Sequence, residues 1–429
     1  MFQTHTLRID KLGQRGEGVG HDEAGPVYVP YGLPGDVLRA EVDGERGQIV
    51  EIVEPSPDRV EPFCEYFGDC GGCAVQALAP QPYGEWKRDL VVQALAHAKV
   101  DAQVLPLVDA HGEGRRRATF HARVRHDALN RQTIDLGFMR ARAHDIASID
   151  QCPILAPGLK SAPAVARRLA QTLAQTGKPL DILVTTTLSG LDVDVRGVGK
   201  LDGRLRQQLV VLAGDLDLAR LSNHGETLVE IRPPLLQMGR AALSPPPGAF
   251  LQATEKGERT LADLVLKAVD GAASVADLFA GVGTFSLRLA ERSKVLAVEN
   301  DAAMLGALAR AAHRATGLKQ VTVQTRDLVR RPLSPVELKD FDAVVFDPPR
   351  AGADIQARAF AATHVPLIVA VSCNAQTFAR DARILIEGGY VIGDVIPFDQ
   401  FRHSPHVEMV ATFRKQPQQR AKRKGRLLG

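Results

Sequence analysis

Residues 1 to about 58 alternate apolar and polar positions in short runs: "LRIDKL", "PVYVPY", "DVLRAEV" and "GQIVEIVE", separated by Gly, Pro and Asp clusters. Closely spaced period-two runs predict a small β-barrel. "EPSPDRVEP" then reads as a linker, since its prolines interrupt any regular element. Residues 64 to about 245 mix helical stretches with strand-like runs such as "LDILVTTTLSGLDVDVRG", an α+β pattern. From Ala249 the pattern changes again. Amphipathic "ERTLADLVLKAV" precedes apolar "ASVADLF", a helical stretch and "KVLAVEN". Apolar strands alternating with helices predict a parallel sheet covered on both faces. The expected organisation is a barrel at 1–58, a central unit at 62–247, an α/β domain at 248–415 and a basic tail at 416–429. Part of 80–115 is allowed to pack with the α/β domain. No internal repeat is present.

The 429 residues are 45% apolar and 24% charged, as in globular domains. No apolar run approaches the roughly 20 residues of a membrane span, so no membrane association is expected. "MFQTHTLRID" lacks the basic and apolar regions of a signal peptide, which predicts a cytoplasmic protein. The net charge of +3 is small, but its distribution is uneven. Arg414 to Arg426 carries seven Lys or Arg and no acid, and "RRRATFHARVRH" (Arg115 to His126) is a second basic stretch. These are candidates for contact with nucleic-acid backbone, against solvated-surface alternatives.

The candidate chemistry lies at the ends of the predicted parallel strands, where open α/β sheets bind ligands. In "VADLFAGVGTFSLRLA" a strand is followed by Gly281 and Gly283 and a helix from about Thr284. Such a turn lets backbone approach a ligand and presents free N–H groups. Glu299 ends the next strand, where an acid can accept ribose hydroxyls. Asp347-Pro348-Pro349-Arg350 follows "AVVF", and Cys373 follows "LIVAVS" just before a helix. That helix N-terminus is expected to lower the thiol pKa and favour a nucleophilic thiolate. Glu408 opens the last apolar strand, an expensive place for an unpaired carboxylate.

In that order, "DLFAGVGTFSL", "DPPRAG", "SCNAQTFARD" and "HVEMV" resemble the bacterial RNA uracil-5-methyltransferases, class I enzymes that use S-adenosyl-L-methionine (SAM). The resemblance extends over nearly the whole chain: residues 1–60 look like the TRAM barrel of the 23S rRNA members, and "GFMRARAHDIASIDQCPIL" and "FLQATEKGERTL" match their central and entry segments. It implies a Rossmann-like C-terminal domain, Cys373 as the nucleophile that adds to uracil C6, and Glu408 as the base that removes the C5 proton, with His403 or His406 as alternatives. It places Gln252, Phe279, Gly281, Gly283, Glu299, Asp327 and Asp347 around SAM, with Asp347 alternatively positioning the uracil. The implied partner is RNA, most like 23S rRNA in a single-stranded loop or bulge, acted on by a monomer. Alternatives are the T-loop uridine of tRNA, or an RNA-binding assembly protein without catalysis. The barrel and the cysteines favour rRNA, because tRNA-specific relatives typically lack both.

The remaining cysteines crowd into "CEYFGDCGGC". Cys64, Cys70 and Cys73, with Cys152 before Pro153, supply four thiolates. Four cysteines can hold zinc or an iron–sulfur cluster. Two short-spaced pairs would be typical of zinc, whereas three clustered cysteines plus a distant one look more like [4Fe–4S]. The resemblance implies [4Fe–4S], in a structural or RNA-positioning role.

Overall fold

A computed structural model describes residues 3–126, 131–141 and 143–416. The basic tail, apart from Gln416, lies outside them. Strands Gln3–Leu12, Gly18–Asp22, Gly25–Val29, Val37–Asp43 and Arg46–Glu54 close into a barrel. Alternation makes it: along Val37–Asp43, Leu38, Ala40 and Val42 point inward, meeting Leu7, Ile9, Val27 and Val29 in one core. A side chain at Gly47 would fill that interior, its Cβ standing 2.9 Å from Val29. The proline-rich segment that follows is tied back rather than loose. Buried Asp36 accepts from the backbone N–H of Leu33 and Ser56 and from Nε of Arg59.

The central unit is a seven-stranded sheet ordered Glu226–Glu230, Arg220–Asn223, Gly190–Arg196, Leu180–Thr187, Arg117–His126, Gln132–Met139 and Ile146–Ser148. Helices Ala162–Leu173 and Gly203–Asp215 pack Val165, Leu169 and Leu209 onto Phe120, Ile182 and Val193.

The third unit is built on a larger sheet. Its strands are ordered Val321–Thr325, Lys294–Glu299, Ser274–Leu278, Ala343–Phe346, Leu367–Ser372, Glu408–Lys415, Ile396–Asp399 and Val108–Asp109. The first five are mutually parallel, and Glu408–Lys415 runs antiparallel to Leu367–Ser372. All four residues of Ala343–Phe346 and all six of Leu367–Ser372 are buried, as expected for strands covered on both faces. The chain winds outward from Ser274–Leu278 and returns through Ala343–Phe346, so the order reverses between them and opens a crevice at their carboxyl ends. Helix Pro80–His97 and strand Val108–Asp109 join this unit although they precede the central sheet in sequence. Val91, Ala94 and Leu95 share a core with Ile368 and Phe413, and Val108 pairs with Phe398.

Candidate active site

Strand Ser274–Leu278 delivers Phe279, Gly281 and Gly283 to the crevice. Phe279 is held at φ +61°, a region that non-glycine residues rarely adopt. Gly281, at φ +56°, has open space where a Cβ would be, whereas a Cβ on Gly283 would lie 2.7 Å from Leu308. One glycine thus leaves room for a ligand and the other admits the helix behind. The Gly281 N–H donates to Glu299 Oε2 at 3.0 Å, and Asn300 N–H donates to Oε1 at 2.7 Å. The carboxylate is fixed at the crevice edge with acceptor capacity remaining. The helix expected from Thr284 is shorter than its pattern suggests. Turns occupy the start and the α-helical part is only Ser286–Leu289. Ser286 instead donates from its hydroxyl to buried Asp277 at 2.5 Å. Burial pushes Asp277 up to about 7, with Asp347 and Glu299 adding to the rise. Asp327 also reaches the carboxyl edge, but its Oδ1 accepts from the N–H groups of Val329 and Arg330 in a local turn.

The second half of the crevice brings Asp347, Cys373 and Glu408 together. Ser372 pairs with Met409, so Cys373 and Glu408 lie side by side where their strands end. Burial, reinforced by Asp347, pushes Glu408 up to about 8. Asp347 is likewise pushed up to about 7 by burial, against the lowering effect of the Gln252 amide. Burial and then the charges of Glu408 and Asp347 push the Cys373 thiol up to about 11, with Arg350 opposing. This overturns the expectation of a thiol activated by its helix. The first free N–H groups of helix Ala375–Glu387, on Gln376 and Thr377, donate to the Asn374 side chain, which caps the helix itself. Arg350 is the cation that favours the thiolate here. Its Nη2 also lies 3.1 Å from His406 Nε2.

An amide pair joins the two halves. Gln252 donates to Asp347 Oδ2 at 3.2 Å and accepts from Gln400 at 2.6 Å, and Gln400 also donates to Glu408 Oε1 at 3.0 Å. Glu408 Oε2 is buried without a partner. The two histidines weighed as alternative bases are both half-buried. Burial pushes His406 down to about 4 and also lowers His403. Sequence reasoning missed Gln400, and it met Arg350 and Asp277 only as letters of motifs. It also missed Lys87, which is fully buried and sits in a stretch, "GEWKRDL", that looks like a solvated helix face.

The basic stretch at 115–126 is largely engaged within the protein. Arg116 pairs with Glu258, Arg117 donates to the Ala249 carbonyl at 3.2 Å, and Arg125 pairs with Asp135 and Asp145. Arg115 instead reaches the cysteines. Cys64, Cys70, Cys73 and Cys152 line one cavity of about 360 Å³ together with Arg115 and Gln76, and none forms a disulfide. Both polar atoms of the Gln76 amide, and Nε of Arg115, are buried without hydrogen-bond partners. The loop is pinned to the central sheet where Gly71 N–H donates to the Met139 carbonyl at 2.9 Å. Among the described residues no three His, Cys, Asp or Glu side chains are gathered closely enough to hold a single metal ion.

Residues 246–416 match the family described as tRNA (Uracil-5-)-methyltransferase. An uncharacterized RNA methyltransferase of Brucella suis is 46% identical over 413 residues, spanning 96% of this chain and 98% of that protein. A 23S rRNA (uracil(1939)-C(5))-methyltransferase of Chromohalobacter salexigens is 34% identical, spanning 94% of this chain and 87% of its own. The fold is shared with the Pyrococcus abyssi tRNA (uracil-54, C5)-methyltransferase, solved with S-adenosyl-L-homocysteine. Its TM-score is 0.72 at 23% identity, with 95% of this chain and 99% of that one covered. From the crevice residues and these relatives together, the chain belongs to the RNA uracil-5-methyltransferase family.

Proposed function

We propose that the chain methylates C5 of a uridine in 23S rRNA, with SAM as donor, Cys373 as nucleophile and Glu408 as base. The observation that carries this reading is the convergence of three groups. Glu408 and Asp347 both act on the ionisation of Cys373, and Asp347 acts on that of Glu408, in the crevice that also holds Gly281 and Glu299. SAM, when bound beside that turn, supplies an electrophilic methyl group. Carbon C5 of uracil is a weak nucleophile. When the Cys373 sulfur bonds to C6, the C5=C6 electron pair moves toward O4 and C5 becomes able to attack the methyl. Arg350 favours the thiolate needed for that addition. Glu408 then takes the C5 proton, the C5–H electrons restore the double bond, and the C6–S bond breaks. A target in a loop or bulge, flipped from its stack, suits a half-buried thiol.

The rRNA assignment rests on the Chromohalobacter relative, and the shared fold of the Pyrococcus enzyme keeps tRNA as the second reading. Mass mapping of 5-methyluridine in rRNA and tRNA from a strain lacking the gene decides between them. Loss from 23S rRNA supports the proposal, and loss confined to tRNA overturns it.

The four-cysteine cavity fits a [4Fe–4S] cluster better than zinc. The four thiols line one space of about 360 Å³, which Gln76 and Arg115 also line. Burial pushes Cys73 up to about 12 and also raises Cys70 and Cys152, so these thiols stay protonated until a metal core displaces their protons. Methylation requires no electron, so the role proposed for the cluster is structural or RNA-positioning. The backbone N–H groups of Ala74 and Val75, next to Cys73, donate to the His403 carbonyl at 2.7 and 3.2 Å, tying this loop to the one that precedes Glu408.

A further inference from the structure

Nothing in the sequence marks Gln400, yet its side chain is fully buried between the methyl-donor side of the crevice and the base. Its amide makes three hydrogen bonds. Oε1 accepts from the Ala253 backbone N–H at 2.8 Å, while Nε2 donates to Gln252 Oε1 at 2.6 Å and to Glu408 Oε1 at 3.0 Å. Room is made for it by Gly257, where a Cβ would stand 2.9 Å from both Cβ and Oε1 of Gln400.

We infer that Gln400 is a positioning residue for the methylation: it turns Gln252 toward Asp347 and selects Oε2 of Glu408 as the oxygen that receives the C5 proton. The inference deepens the proposed function and rests on the reading of Glu408 as base. A backbone N–H can only donate, so Ala253 fixes the Gln400 oxygen and leaves its nitrogen facing two oxygens. The Gln252 oxygen must then face Gln400, and its nitrogen faces Asp347. One backbone donor therefore sets the direction of the whole chain of amides. At Glu408, Oε1 is occupied as an acceptor, and Oε2 is buried and unpartnered. As the C5–H bond breaks, the O–H bond forms at Oε2, and the released pair restores C5=C6 and expels the Cys373 sulfur. No other reactant is required.

Two variants test this. Gln400→Met keeps the volume and cannot donate. Gln400→Leu is smaller and can neither donate nor accept. Each is compared with wild type and Cys373→Ala for thermal unfolding, SAM affinity by calorimetry, single-turnover methylation and denaturing electrophoresis of protein–RNA adduct. Loss of a hydrogen bond to a charged group is expected to slow elimination by about 10- to 100-fold. A methylated covalent adduct then accumulates, and SAM binding weakens several-fold as Gln252 loses its orientation. The rising limb of the elimination rate should also move to higher pH. The carboxylate loses a donor, while Asp347, Arg350, Lys87 and Cys373, the charged or ionisable groups around it, are unchanged. A folded Gln400→Met with wild-type elimination, no adduct and an unmoved limb reduces Gln400 to packing. Should Gln400→Met not fold, Gln400→Leu decides alone, and rapid turnover by it overturns the inference. Normal methylation by Cys373→Ala would instead sink the nucleophile–base reading and the inference with it. An inactive Cys373→Ala beside a normal Gln400→Met overturns only the role of Gln400.

Discussion

The ammonium of Lys87 lies 2.9 Å from Oδ1 of Asp399, with both side chains inside the protein. Lys87 also donates to the carbonyls of Ser404 at 2.9 Å and His406. Tyr83, one turn earlier, donates to Asp399 Oδ2 at 2.6 Å and accepts from the His403 N–H. Helix Pro80–His97 thus holds the loop that ends at Glu408. Burial lowers the Lys87 pKa and Asp399 acts against that fall, so the pair is sustained by its geometry.

Removing one member of a buried pair leaves an uncompensated charge and costs about 3–5 kcal/mol. Lys87→Met is therefore expected to lower the urea midpoint markedly and to reduce kcat at least about tenfold as the loop shifts. Lys87→Met combined with Asp399→Leu should regain part of the stability but little activity, because the loop carbonyls still lack their donor. Denaturant titration and methylation assays on both variants check this, and full activity in Lys87→Met would show that the loop needs no such anchor.

Cys373→Ala and Glu408→Gln are expected to fail at opposite ends of one pathway. The first should bind SAM normally and give no methylation, since its sulfur acts on uracil. The second should still form the C6 adduct and transfer methyl, then stall, leaving a methylated protein–RNA complex that survives denaturing electrophoresis. The double variant should behave as Cys373→Ala, because residues acting in sequence are not additive. Rapid release of unmodified RNA by Glu408→Gln would remove it from the base role.

What the sequence discloses follows from locality. The barrel is legible because alternation within each strand, as in Leu38, Ala40 and Val42, is a nearest-neighbour property. Cys373 and Asp347 are legible because each follows an apolar strand, and strand ends share one edge of a parallel sheet. Gln400 and Lys87 are not. A buried glutamine becomes meaningful only through Ala253, Gln252 and Glu408, and a buried lysine only through a loop more than three hundred residues away. The ionisation of Cys373 misled for a related reason: the helix that follows is visible in sequence, whereas the two carboxylates facing the thiol come from other strands.

The cysteine cavity predicts a brown protein with about four irons per chain, measured by anaerobic metal analysis. Stoichiometric zinc without iron would overturn the assignment. Cys70→Ala should lose the iron and much of the stability, because ligand binding is coupled to folding. Amides of the 399–408 loop should then exchange faster, since Ala74 and Val75 hold His403 from the cysteine side.

The carboxylates of the crevice make a prediction about pH in which stability and activity run in opposite directions. Glu408 is pushed up to about 8, and Asp347 and Asp277 to about 7, all above their values in an unfolded chain. The folded state therefore keeps protons that the unfolded chain has released, and stability falls as pH rises toward 8. His111 and His406, pushed down to about 4, act the other way, but only below their unfolded value near 6.5. Between about pH 6.5 and 8 the carboxylates act without them. One retained proton contributes a slope of about 1.4 kcal/mol per pH unit. Elimination needs Glu408 ionised, so its rate should rise across the same window. Denaturant unfolding of the free enzyme at pH 6.5 and 8 should show the loss, and Glu408→Gln should flatten it by removing the highest of the three titrations. A slope identical in wild type and Glu408→Gln would mean that Glu408 is already ionised at pH 6.5, and with it the protonated resting state of the base would fall.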